Sequence, residues 1–141
     1  MIVGINLESI EAKKHGKFDG NIRIDNNVSI TGVKELKIPL FEEKISQIAF
    51  GFTTKYAKEK EELGGILIKG VVLYRGEEEN IRKSYASEKK LPEKIGPMVV
   101  NAILTKCITR TIDLAEQLAL PPPINFPVVS HKKKQNLEYI G

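Results

Sequence analysis

Tryptophan is absent from this chain, cysteine occurs once, at position 107, and histidine twice, at 15 and 131. A lone cysteine excludes an internal disulfide framework and a cysteine-rich zinc centre, and two histidines so far apart supply no metal-ligating cluster. Arginine is scarce, with 4 residues against 18 lysines and 18 isoleucines, a composition also met in heat-adapted proteins. A glycine-rich phosphate loop is missing: Gly64-Gly65 and Gly70 have neither the spacing nor the following Lys-Ser/Thr of a nucleotide cradle, so no cofactor is expected. Long apolar runs are missing too. The longest uncharged stretch, Gln117 to His131, is broken by Pro121, Pro122, Pro123 and Pro127, and it falls short of the roughly 20 residues a spanning helix needs. Met1 to Ala12 alternates and carries no basic leader, so neither export nor a membrane partner is expected, and the expected location is the cytoplasm.

What remains is 141 residues, 41% hydrophobic and 28% charged, which suffices for one domain. The net charge of +4 is shared with the C-terminal tail: Lys132, Lys133 and Lys134 against Glu138 leave residues 130–141 at +2 and the first 129 residues at +2. A body so nearly balanced lacks a phosphate-binding stripe, and no nucleic-acid partner is expected. We therefore expect a single domain over 1–129 and a basic flexible tail over 130–141.

Alternation organises the first half. Val3, Ile5 and Leu7 lie opposite Asn6 and Glu8. Ile22, Ile24, Val28 and Ile30 lie opposite Asn21, Arg23, Asp25, Asn27 and Ser29. Lys34 to Phe41 repeats the pattern briefly, and Pro39 marks an edge or a loop. Ile45 to Lys58 puts Ile48, Phe50, Phe52 and Tyr56 on one face, while Gly64-Gly65 reads as a hairpin turn. Ile66 to Tyr74 is apolar on both faces and asks for cover on both sides. The second half is helical. Glu77 to Lys90 has acids in its first turn, and Pro97 opens a long helix to about Leu118, stopped by Pro121 to Pro123. Val100, Ile103, Leu104, Cys107, Thr111, Leu114, Ala115 and Leu118 form its stripe, widened by Ile108 and Ile112. Strands first and helices afterwards mean α+β: an antiparallel sheet with helices packed on one face.

Catalytic groups are not evident. Cys107 sits in an apolar stripe with no base beside it and reads as a buried hydrophobe. Glu77, Glu78 and Glu79 point in different directions on a helix and read as helix-start electrostatics. No enzyme is expected. The surplus of apolar surface asks instead for a partner, a subunit or an apolar ligand.

The segment Leu118-Ala-Leu-Pro-Pro-Pro-Ile-Asn-Phe-Pro-Val128, following a long helix, resembles the bacterial export chaperone SecB, which carries Leu-x-Pro-Val-Asn-Phe near its C-terminal helices. Pro123, Ile124, Asn125 and Phe126 match the Pro-Val-Asn-Phe part, and Pro121 stands where the leucine would be. Gly65-Ile-Leu-Ile-Lys-Gly70 looks like the start of the family's last strand, and Leu91-Pro92 to Pro97 like its loop before the long helix. With Lys34 to Phe41 taken as a crossover, the resemblance implies a four-stranded antiparallel sheet followed by two helices and covers about residues 2–128. It implies a SecB-like holdase: a homotetramer, a dimer of dimers, that holds unfolded or precursor polypeptides in apolar grooves without ATP and is linked to protein export. It also implies groove residues between the sheet and the helix-connecting loops, here Phe41, Phe50, Phe52, Tyr74, Leu91, Ile95 and Met98. The family's bacterial members meet the export motor through an acidic sheet surface and tail, whereas this chain is basic and carries His131-Lys-Lys-Lys134 in its tail. A dedicated adaptor, such as a toxin-antitoxin associated chaperone, and an RNA-binding domain are the alternative readings.

Overall fold

The computed structural model describes residues 1–39 and 43–124. Four long strands, β1 (Ile2–Lys14), β2 (Arg23–Ile38), β3 (Glu43–Lys58) and β4 (Glu61–Arg75), precede α1 (Glu78–Glu88) and α2 (Gly96–Gln117). All neighbouring strands are antiparallel, in the order β1-β4-β3-β2. This is the expected α+β architecture.

Period-two patterning gives the sheet one closed face. Ile48, Phe50, Phe52, Thr54 and Tyr56 of β3 stand in register with Val72, Gly70, Ile68, Ile66 and Gly64 of β4. The side chains of Ile48, Phe50, Phe52, Tyr56, Ile66, Ile68 and Val72 join one cluster with Ile81 of α1 and Val99, Ile103, Cys107 and Ala115 of α2. The buried stripe of α2 recurs every four residues and includes Thr111, whose hydroxyl escapes an unpaired burial by donating to the Cys107 carbonyl at 2.8 Å. Val99, which the sequence pattern omitted, opens the stripe. Pro97 lies in the first turn, where the absent N–H costs nothing.

Three expectations need correction. Residues 34–38 are no crossover but the end of β2, a single strand of 16 residues with a bulge between Ile30 and Gly32. The true crossover is 15–22, which carries the chain from one edge of the sheet to the other. Gly64 and Gly65 lie inside β4, and the β3-β4 turn is Glu59-Lys60, with Glu59 in the left-handed region at φ 56°. Gly64 is needed for close approach: a Cβ there would lie 2.6 Å from the Lys13 carbonyl oxygen of β1. Finally, bulges between Ile2 and Gly4 and between Leu7 and Ser9 break the alternation of β1, so Ile5 and Leu7 pack on the core while Val3 is 39% exposed.

Ile66 to Tyr74 does not find two covers within the protomer. The helices and the crossover ring Phe18 join the cluster on one face, and no described element lies on the other.

Candidate functional site: open apolar surface around the helix layer

Tyr56 ends the aromatic row of β3 and meets Phe18 edge-on, with ring centroids 5.8 Å apart at 72°. Asp19, next to Phe18 in the crossover, accepts a 2.9 Å hydrogen bond from Lys58, whose ammonium holds the Asp19 carboxyl below its usual range. The Tyr56 hydroxyl donates to the Pro121 carbonyl at 2.7 Å, and burial pushes its pKa up to about 12. Asn26 Nδ2 donates to the Pro123 carbonyl at 2.9 Å, and its Oδ1 accepts from the Thr54 hydroxyl at 2.6 Å. Prolines offer only carbonyls to their surroundings. These side chains satisfy two of them and so tie the proline segment to β2 and β3. Sequence periodicity gave no signal for this clamp, because Asn26 and Thr54 sit at core-facing positions where apolar residues were expected.

The groove residues implied by the resemblance separate into two groups. Phe50 and Phe52 are 1% and 0% exposed, Ile95 is 1% and Tyr74 6%, all of them packed in the core of the protomer. Leu91 is half-buried against that core in the loop between the helices, and Met98 on the first turn of α2 is 48% exposed. Phe41 lies outside the described residues, as do Asn125 and Phe126 of the signature and the tail 130–141.

Apolar surface does remain open elsewhere. Val3 and Ile10 on β1 are 39% and 46% exposed, at a sheet edge with no strand beside it among the described residues. On α2, Val100 and Ile112 are half-buried and stand outside the core cluster. A shallow cleft between β1 and α2 is lined by Ile5, Ala102, Thr105, Lys106, Thr109 and Arg110. The signal for Ile10 was its place in an alternating strand, but two bulges hid which way it would face.

Reactive groups do not gather. Cys107 is fully buried, and burial pushes its thiol up to about 11, so it stays protonated at neutral pH. Glu78 and Glu79 occupy the first turn of α1, and Glu79 pairs with Arg82 and Lys83. Among the described residues no group of three metal-ligating side chains occurs, and no helix is long and apolar enough to cross a membrane.

No family model and no curated protein matches the sequence. Among solved structures, the chain is similar to the Mycobacterium tuberculosis Rv1957 SecB-like chaperone, solved in complex with a ChAD peptide from the Rv1956 HigA1 antitoxin. The match has a TM-score of 0.59 at 15% identity and covers 94% of this chain and 92% of that one. The likeness that Pro123 to Phe126 suggested in the sequence therefore holds at the level of architecture: this chain has the SecB-like fold.

Proposed function

We propose that the protein is a SecB-like, ATP-independent chaperone that holds non-native polypeptides on apolar surface and keeps them from aggregating. The observation that carries this reading is the fold shared over nearly the whole chain with a chaperone solved on a bound peptide. Physical chemistry supports it. Unfolded chains offer apolar side chains and unpaired backbone, and burial at about 25 cal/mol per Å2 is non-directional, so one apolar groove beside a strand edge accepts many sequences. Leu91 and Met98 present apolar atoms to such a client directly. Phe50, Phe52, Tyr74 and Ile95 serve from beneath, as the packed layer that supports the helices and their connecting loop.

Assembly as a homotetramer in the cytoplasm belongs to the same proposal. The open edge of β1 and the uncovered flank of α2 need more cover than one protomer supplies, and isologous association provides it. A second reading, an adaptor devoted to a single partner, is favoured by the antitoxin peptide on the similar chaperone. An export link would add precursor polypeptides to the clients.

The test is suppression of aggregation when a denatured enzyme is diluted into buffer without nucleotide, together with light scattering. Suppression by a particle of about four times 15.8 kDa is expected. A monodisperse monomer without holding activity overturns the proposal, and tight binding of a single cellular protein with no general suppression selects the adaptor.

A further inference from the structure

The face of the sheet opposite the helices carries its own pattern. Successive residues of a strand alternate between faces, so the side chains that turn away from the core are Leu67, Val71 and Leu73 of β4 and Ala49, Gly51 and Thr53 of β3. Val71 is only 6% exposed and Gly51 is buried, although no described element covers them. This centre is flat because its side chains are small, and it is apolar. A flat apolar sheet face is where another layer packs.

Charge on this face is distributed unevenly. Its peripheral carboxylates are matched on the spot: Glu11 lies 3.1 Å from Lys13, Asp25 lies 3.1 Å from Arg23, and Glu43 lies 3.2 Å from Arg75. Glu62 lies at one corner, lining the cleft beside Gly65. Three exposed lysines form no direct ion pair among the described residues, Lys34, Lys55 and Lys69, although Asp25 is the cross-strand neighbour of Lys55 and Glu62 lines the same cleft. The register spaces them regularly. Lys34 is opposite Gln47, Lys69 is opposite Gly51, and the third is Lys55 itself, so they occupy levels four residues apart along β3. At about 3.3 Å per residue these levels are about 13 Å apart along β3, with Lys34 on β2 and Lys69 on β4 displaced to either side of it by one strand spacing of about 4.8 Å.

We infer that this face docks an extended acidic polypeptide segment, with carboxylates about every fourth residue over Lys34, Lys69 and Lys55 and apolar side chains between them on Val71, Ala49 and Leu67. An extended chain lying over β3 repeats at the same roughly 13 Å and passes within about one strand spacing of each lysine, so each acid meets one lysine side chain while its neighbours bury on the floor between. A second copy of this chain is disfavoured as the occupant, because a two-fold stack of this face would bring its unpaired lysines onto one another. The inference goes beyond the chaperone proposal and does not rest on it, since the open edge and the helix layer lie elsewhere.

The test uses the full chain and a fluorescein-labelled 12-residue peptide with Glu at every fourth position and Leu or Val between. Controls are the same peptide with Lys for Glu, and phosphatidylserine vesicles. Anisotropy should show binding of the Glu peptide over the Lys peptide, weakened by salt. In the triple variant K34E/K55E/K69E it should be weakened at least tenfold, with aggregation suppression and scattering mass unchanged. If charge reversal lowers the melting temperature, K34Q/K55Q/K69Q replaces it and should still lose several-fold. The inference is overturned by equal binding of the two peptides, by Glu-peptide binding that survives both triple variants, by capture of vesicles without peptide, or by a fall in mass that marks the face as a contact between copies. Loss of client holding alone bears on the chaperone proposal and leaves this one standing.

Discussion

Tyr56 joins core and clamp in one side chain, and its two roles separate with pH. Removing its hydroxyl in Tyr56→Phe strands the Pro121 carbonyl and should cost about 1 kcal/mol at pH 7. The phenol titrates near 10 in an unfolded chain but at about 12 in the fold. The folded state therefore keeps a proton that the unfolded state gives up, and wild-type stability falls as pH rises from about 10 to 12. The variant has no such loss, so chemical denaturation at pH 7 and pH 11 should show its deficit narrowing; a constant deficit would refute the assignment. The aromatic row is a second case. Phe50→Ser with Phe52→Ser deletes two fully packed rings, each worth about 3 to 5 kcal/mol, so the melting temperature should collapse. Met98→Ser should leave it unchanged and weaken client holding instead. Burial of that row was half legible in the sequence, since alternation aligned Phe50, Phe52 and Tyr56 on one face. Alternation alone does not say whether a face is covered by its own helices or by a client. The polar clamp was illegible because Asn26, Thr54 and the prolines meet only through tertiary structure.

Among the elements, β3, β4 and the long helix were the readable ones, each having a sustained period that a single residue does not upset. β1 and the end of β2 were misread where bulges add a residue and turn the following side chains over. Gly64 and Gly65 were misread for a different reason: a glycine pair signals a turn locally, but glycines in β4 keep side chains out of the way of a neighbouring strand. Gly70 is the sharpest example, as a Cβ there would run into the Asn6 carbonyl oxygen and come within 2.9 Å of the Phe50 ring. Gly70→Ala should lower stability by about 1 to 3 kcal/mol by prying β1 from β4. Gly32→Ala, whose Cβ would meet only the Ala49 methyl at 3.9 Å, should be close to neutral. Parallel melts of the two variants check this, and equal effects would mean that the β1-β4 approach is not tight.

At the scale of the whole molecule, removal of residues 130–141 should leave fold, assembly and client holding nearly intact, because that segment has no apolar stripe and carries half of the net charge. Retention of a denatured client and of a labelled RNA by both forms, at two salt concentrations, checks it; client binding lost on truncation would contradict it. The strand order has a further consequence, in time. β2, β3 and β4 pair with their neighbours in sequence through short connections, but β1 pairs only with β4, and the Met1 amino group reaches the Arg75 carbonyl at 2.6 Å across nearly the whole length of the sheet-forming chain. Contacts of such long range are reached late. During synthesis the earliest of these four strands to be made is thus the last one placed, and until β4 has left the ribosome the nascent protein carries an unpaired strand that is itself a substrate for a chaperone.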